Sequence, residues 1–242
     1  MPAERILILG GTGLARELAD RLVAESYDVE TSLAGVTEHP HLPPGRIRRG
    51  GFGGVEGLRE YLKVQSIRVL IDATHPFAAQ MSRHAAEAAG DVPLLRLELP
   101  PWPAGPGWII VHSIAEAVVA LPPAAIPLVT IGRKEIAAFL THTKTGVARM
   151  IENPDMEFPP GWTLLQARPP FTENDEIALM RQHRITHLVS KNSGGSATQA
   201  KITAARALRL PVIMVARPAK PGVPTFATAE EISSSLRRLL YS

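Results

Sequence analysis

The chain has 242 residues, 45% of them hydrophobic and 20% charged, with a net charge of +3 and no cysteine. These are ordinary values for a globular protein, and the length suits one large domain or two small ones. Without cysteine there is no disulfide framework, thiolate metal site or cysteine nucleophile, and no other metal-ligand constellation stands out. With no leader pattern and no proline-free apolar span, the chain reads as a cytoplasmic protein.

Short apolar runs alternate with amphipathic helical patterns. Strands are predicted at 5–9, 28–33, 69–72, 93–97, 108–112, 127–131, 147–151, 163–167, 187–190 and 211–216. Helices are predicted at 13–24, 55–63, 78–89, 114–120, 134–141, 173–183, 197–208 and 230–240. Such alternation means βαβ units and parallel sheet. Capping boxes start two of the helices, Ser196 with Gln199 and Thr228 with Glu231, and Thr172 with Asp175 makes a shorter version.

The proline-rich stretch "LPPAAIP" at 121–127 is the best boundary. The expected fold is α/β, with two Rossmann-like domains, mainly parallel sheets flanked by helices, and an active-site cleft between them. Residues 1–122 would be the cofactor domain and residues 123–242 the substrate domain. Residues 1–122 carry a net −3 and residues 123–222 a net +6. A basic second half faces an anion; a small polycarboxylate or phosphate fits better than nucleic acid, because aromatic–basic interleaving is missing. Neither nucleic acid nor a membrane is an expected partner, and the sequence is compatible with a monomer.

"ILILGGTGLARELAD" runs a strand into Gly10, Gly11, Thr12 and Gly13 and then into a helix. Glycines let the backbone approach a pyrophosphate, and the helix start offers N–H groups and the positive dipole end. Arg16 stands where the dinucleotide fingerprint has its last glycine. An NAD site places Asp or Glu at the end of the second strand; "TSLAGVT" has Ser32, Gly35 and Thr37 instead. A 2′-phosphate is therefore permitted, and Arg16, Arg46, Arg48 or Arg49 would attract it, so NADPH is favoured. Glu30 is a carboxylate nearby, but mid-strand, where its side chain should point elsewhere. Two further strand-end loops belong to this site. Gly51, Phe52 and Gly53 lie in "RRGGFGGVEG", and Ala73, Thr74, His75 and Pro76 lie in "LIDATHPFAAQ" after Asp72.

In the second half, "HLVSKNSGGSATQAK" brings Lys191, Asn192, Ser193, Gly194 and Gly195 to a strand end before a helix. That is a ready carboxylate or phosphate receptor, or a clasp for the cofactor's far side. "TIGRKE" repeats the arrangement with Arg133 and Lys134, and "ARPPFTEND" with Arg168 and Thr172. Arg217 and Lys220 follow the last strand and join the set. For a proton donor the candidates are His75, Lys191 and water.

Together "ILILGGTGLARELA", "SLAG", "GGFGGVEGL", "DATHPFAAQMS", "LRLELPPW", "TIGRKE", "RPPFT" and "SKNSGGSATQAKITAARALRLPVIMVARP" resemble the precorrin-6A reductases of corrin-ring biosynthesis, from about residue 5 to 218. The resemblance implies an NADPH-dependent reduction of the C18=C19 double bond of precorrin-6A to precorrin-6B, with the cofactor on the N-terminal Rossmann-like domain. Leu14 departs from the residue expected there and leaves the glycines intact. The substrate would be a macrocycle bearing many carboxylates, which a basic second half suits. The cofactor would carry the chemistry, consistent with the lack of a nucleophile–base pair.

Other readings weigh less. A short-chain dehydrogenase needs Tyr-x-x-x-Lys, but Thr31 and Gln65 follow Tyr27 and Tyr61 at that spacing. A dihydrodipicolinate-reductase-like enzyme should end in an antiparallel domain. The cobalt-precorrin-6A reductases of the anaerobic pathway and a non-catalytic NADPH-binding protein remain as alternatives.

Overall fold

The computed structural model describes residues 4–33 and 42–241. The chain divides into two compact units, Met1–Pro100 with Pro218–Ser242, and Pro101–Arg217. In chain order the first stretch contains β1 (Arg5–Leu9), α1 (Gly13–Ala24), β2 (Asp28–Leu33), β3 (Arg46–Arg49), α2 (Val55–Val64), β4 (Val69–Asp72), α3 (Ala79–Ala89) and β5 (Leu94–Leu97). The second unit contains β6 (Trp108–Val111), α4 (Ile114–Ala120), β7 (Pro127–Thr130), α5 (Ala137–Leu140), β8 (Gly146–Met150), β9 (Trp162–Gln166), α6 (Glu173–Gln182), β10 (His187–Lys191), α7 (Ala200–Ala207) and β11 (Val212–Val215). The chain then returns to the first unit with β12 (Thr225–Phe226) and α8 (Ala229–Tyr241).

Among the described residues each unit holds one six-stranded sheet with every pairing parallel. The first has the order β12-β5-β4-β1-β2-β3, and the second β6-β11-β10-β7-β8-β9. In the first unit Ile6 and Ile8 face α1 and α8 through Leu18, Leu22, Ile232 and Leu236. Leu7 and Leu9 face α2 and α3 through Leu58, Leu62 and Ala85. Four consecutive apolar residues are thus used on both faces, as a sheet covered on both sides requires. In the second unit Leu128, Leu188, Val212 and Met214 pack with Met180, Ala204 and Ala205.

The α/β class, the parallel sheets and their flanking helices follow the sequence expectation; the domain boundary does not. The prolines at 122–123 lie inside the second unit, between α4 and β7, because β6 pairs with β11. Residues 218–242 belong to the first unit, because β12 pairs with β5 and α8 covers its core. Divided this way, the units carry net charges of −1 and +4, a weaker asymmetry than the sequence halves have.

The caps at Thr172 and Thr228 form: each hydroxyl accepts the N–H three residues on, at 3.2 Å. The predicted box at Ser196 does not. Gln199 bonds the Ser196 carbonyl in a turn, and α7 begins only at Ala200.

Candidate functional site

In the first sheet the connections run in opposite directions from β1 and β4, so the crevice beyond their carboxyl ends is the topological switch point where α/β sheets bind ligands. Gly10 donates its N–H to Ser32 O at 2.9 Å, and a Cβ there would stand 2.8 Å from Thr31 Cγ2, so this glycine lets the loop lie against β2. Gly11 has φ +108, and a Cβ on Gly13 would meet nothing within 4 Å. The loop is therefore a bare backbone cradle at the start of α1. Thr12 caps that helix: its Oγ accepts from Ala15 N–H and donates to Ala73 O, both at 3.0 Å. The hydroxyl thereby ties the glycine loop to the end of β4.

Beside it, Ser32 is buried at the end of β2, next to Arg48 and Arg49 in register on β3. Gly35 and Thr37 lie outside the described residues. Arg48 bonds the carbonyls of Gly50 and Gly51 at 2.5 and 2.7 Å and lies 3.8 Å from the Phe52 ring, so it braces the Gly51–Phe52–Gly53 loop. Gly53 has φ +82. Arg46 pairs with Asp28 at 2.8 Å. Arg16 and Arg49 have no side-chain partner among the described residues. Glu30 is buried and accepts the Tyr61 hydroxyl at 2.6 Å. Burial and that bond push the phenol up to about 12.

Beyond β4, Asp72 is 1% exposed. It accepts from Thr74 N–H at 3.2 Å, Thr74 Oγ at 2.6 Å and Arg96 Nε at 3.1 Å. Burial raises its carboxyl, but the Thr74 hydroxyl and the cations Lys220 and Arg96 more than offset this and hold it below the usual range. An anionic Asp72 thus shapes the Ala73–Thr74–His75–Pro76 turn. His75 is exposed, and its Nδ1 accepts Phe77 N–H at 3.2 Å, which puts the proton of the neutral ring on Nε2.

In the second unit the switch point lies between β7 and β10. Lys191 pairs across it with Glu135 at 2.6 Å. Arg133 and Arg168, from the ends of β7 and β9, both approach Glu152 at 3.6 and 3.8 Å, so these two predicted residues are brought together. Lys134 is exposed and has no side-chain partner among the described residues. The Thr172 hydroxyl is engaged in capping α6. Gly194 and Gly195 have φ +72 and +80, a turn that glycine alone adopts easily. The Asn192 side chain faces inward. Its Oδ1 accepts Trp102 N–H at 2.8 Å and its Nδ2 donates to Trp102 O at 3.0 Å. Trp102 Nε1 donates to Gly195 O at 3.0 Å. Arg217 donates to Asn192 O at 2.8 Å and to Ser193 O at 2.9 Å. Arg217 therefore joins this loop as a brace, whereas Lys220 belongs to the first unit and pairs with Glu98 at 2.5 Å. Among the described residues no cluster of three His, Asp or Glu could hold a metal ion.

Residues 5–237 match the precorrin-6x reductase family CbiJ/CobK. The chain belongs to that family. A relative named precorrin-6A reductase, from Rhodococcus erythropolis, is 45% identical over 96% of each chain. A solved structure of CobK precorrin-6A reductase superposes with a TM-score of 0.91 at 40% identity, covering 98% of this chain and 97% of that one. A cobalt-precorrin-6A reductase of Priestia megaterium is 29% identical over 96% of this chain and 97% of its own. As a member of a reductase family the chain is an oxidoreductase, and the family's two-domain parallel architecture is the one described above.

Sequence reading missed several residues that shape these loops. Gly57 sits inside α2, and a Cβ there would fall 1.7 Å from Phe52 O, so the Phe52 loop folds back onto this glycine. Arg96, Trp102, Glu135 and Glu152 act through partners that lie at least 24, 90, 56 and 16 residues away in sequence, respectively. Strand-end charges are visible in a sequence; the pairing of one strand end with another is set by sheet order.

Proposed function

We propose that this chain reduces the C18=C19 double bond of precorrin-6A to give precorrin-6B, with NADPH as reductant. One observation carries the reading: the bare glycine cradle stands at the switch point of a sheet, in a chain nearly half identical over its length to a precorrin-6A reductase. The residues present fit the dinucleotide. Gly11 and Gly13 leave backbone room for the pyrophosphate, and the α1 N-terminus supplies donors. Arg16 and Arg49 are uncommitted cations for a 2′-phosphate. Glu30, the carboxylate that would oppose one, is buried against Tyr61.

When bound, NADPH supplies a hydride. Saturating the double bond also takes one proton, for which His75 Nε2 is the assigned donor and Lys191 the second candidate. Asp72 fixes the turn that carries His75, while Arg133, Lys134, Arg168 and the Lys191–Gly195 loop are assigned to the macrocycle's carboxylates. Arg133, Arg168 and Lys191 already face Glu152 or Glu135, so substrate carboxylates would exchange with those acids. We assign the reaction to the cytoplasm; no described helix is long and apolar enough to cross a membrane.

The test is anaerobic mixing with precorrin-6A and either NADPH or NADH, following loss of the reduced-nicotinamide absorbance. Rapid loss with NADPH and little with NADH is the expected result. Equal rates would remove the 2′-phosphate assignment. Oxidation only with the cobalt-loaded macrocycle would move the substrate to the anaerobic series.

A further inference from the structure

The chain passes between its two units twice, at Pro100–Pro101 and at Arg217–Pro218. Both crossings are fastened in the same way. On the second-unit side, the first crossing leads at once to Trp102, whose backbone N–H and C=O are both bonded by the Asn192 amide and whose indole donates to Gly195 O. The second crossing leaves from Arg217, whose guanidinium holds Asn192 O and Ser193 O. Both therefore end on one loop, 192–195. On the first-unit side, the crossings are fastened to each other: Lys220 pairs with Glu98 at 2.5 Å, with side chains 7% and 14% exposed. Arg96 adds a bond from Nη1 to Pro221 O at 3.0 Å while its Nε holds Asp72. Asp72 and Ala73 in turn hold Thr74 and Thr12 of the dinucleotide loops.

A continuous series of hydrogen bonds and short covalent links thus runs from the glycine loop to the Asn192–Gly195 loop. Its side-chain members are half-buried or buried, and each is hydrogen-bonded or ion-paired to the next, a contiguous network of the kind that carries coupling between sites. We propose that Asn192 and the Glu98–Lys220 pair are positioning residues that couple the two loops, so that dinucleotide binding at Gly10–Gly13 orders the loop assigned to the macrocycle. The Asn192 amide has both polar atoms bonded to Trp102; it acts on the substrate through the loop it holds.

This rests on the reading of Gly10–Gly13 as the NADPH site, and the experiment separates the two. Amide hydrogen exchange of the full chain is followed by mass spectrometry with and without saturating NADPH. For the unaltered chain, exchange should slow at 10–13 and also at 191–196, the latter by roughly five-fold or more, the low end of ordinary site–site coupling. In the charge-neutral double variant E98Q/K220M, and separately in Asn192→Ala, slowing at 10–13 should persist and slowing at 191–196 should vanish. Unchanged exchange within β1 and β10 shows that each variant is folded. Slowing at 191–196 that survives in both variants means direct contact with the dinucleotide and overturns the proposal. Slowing confined to 10–13 in the unaltered chain also overturns it. No slowing at 10–13 removes the NADPH site, and the coupling with it.

Discussion

Two glycines in the first unit separate ligand binding from folding. At Gly13 an added Cβ meets nothing within 4 Å, so Gly13→Ala should leave thermal stability within about 0.5 kcal/mol, as substitutions away from packed features do. A methyl in the cradle should still raise the Kd for NADPH ten-fold or more, as titration would show. Gly57→Ala places its methyl on the Phe52 carbonyl; it should cost about 1–3 kcal/mol and loosen the loop braced by Arg48. The first glycine was legible because strand, glycines and helix are contiguous. The second was not, since its reason lies in a loop folding back onto a helix. Asp72 shows the same limit: its place at a strand end is visible, but Arg96 and Lys220 are not. Asp72→Asn should cost about 3–5 kcal/mol, because it leaves the buried Arg96 guanidinium without its counter-charge. The folded carboxyl titrates below its unfolded value. Its stabilisation is present above the unfolded value near 3.9 and is lost as pH falls through the folded one. Thermal melts between pH 7 and 3 should show a steeper acid loss for the unaltered chain than for the variant.

Among the elements, two strands escaped the sequence reading because only pairing makes them strands. β3 is "RIRR", an edge strand with little apolar pattern, recognised only by its pairing with β2. β12 has two residues and is a strand only because β5 offers it an edge. Helix α7 also begins three residues later than its apolar pattern, since Ser196–Gln199 form a turn. That helix buries Lys201 with Ala204 and Ala205, against the Trp102 ring 5.6 Å away. Burial, with Arg149 adding repulsion, brings its ammonium down to about 7. The folded value lies below the unfolded one near 10.4, so the cost of burying the charge is full below pH 7 and is relieved as pH rises towards 10. Lys201→Met should therefore stabilise the chain by about 3 kcal/mol at pH 6, with the gain shrinking by pH 9–10 in denaturant titrations. A loss of stability at pH 6 would show that the Trp102 contact outweighs the desolvation.

For the whole molecule, α/β class and parallel sheets were legible from alternation alone, whereas the division into units was not. Proline content marks breaks in local structure, and unit membership is decided by which sheet edge a strand joins. Residues 101–217 form an uninterrupted unit containing all six strands of its sheet, so that fragment should unfold cooperatively on its own in urea. Residues 1–100 lack β12 and α8 and leave Leu18 and Leu22 without Ile232 and Leu236, so the matching fragment should be insoluble or molten. The interrupted first unit also bears on how the protein is made. On the ribosome its first hundred residues emerge early, but the helix that seals their core is translated after the entire second unit. The 142 residues from Pro101 to Ser242, at roughly 5–20 residues per second, impose a wait of roughly 7–30 s. During that interval the nascent first sheet presents a raw apolar face to the cell, a client for chaperones until the final helix arrives.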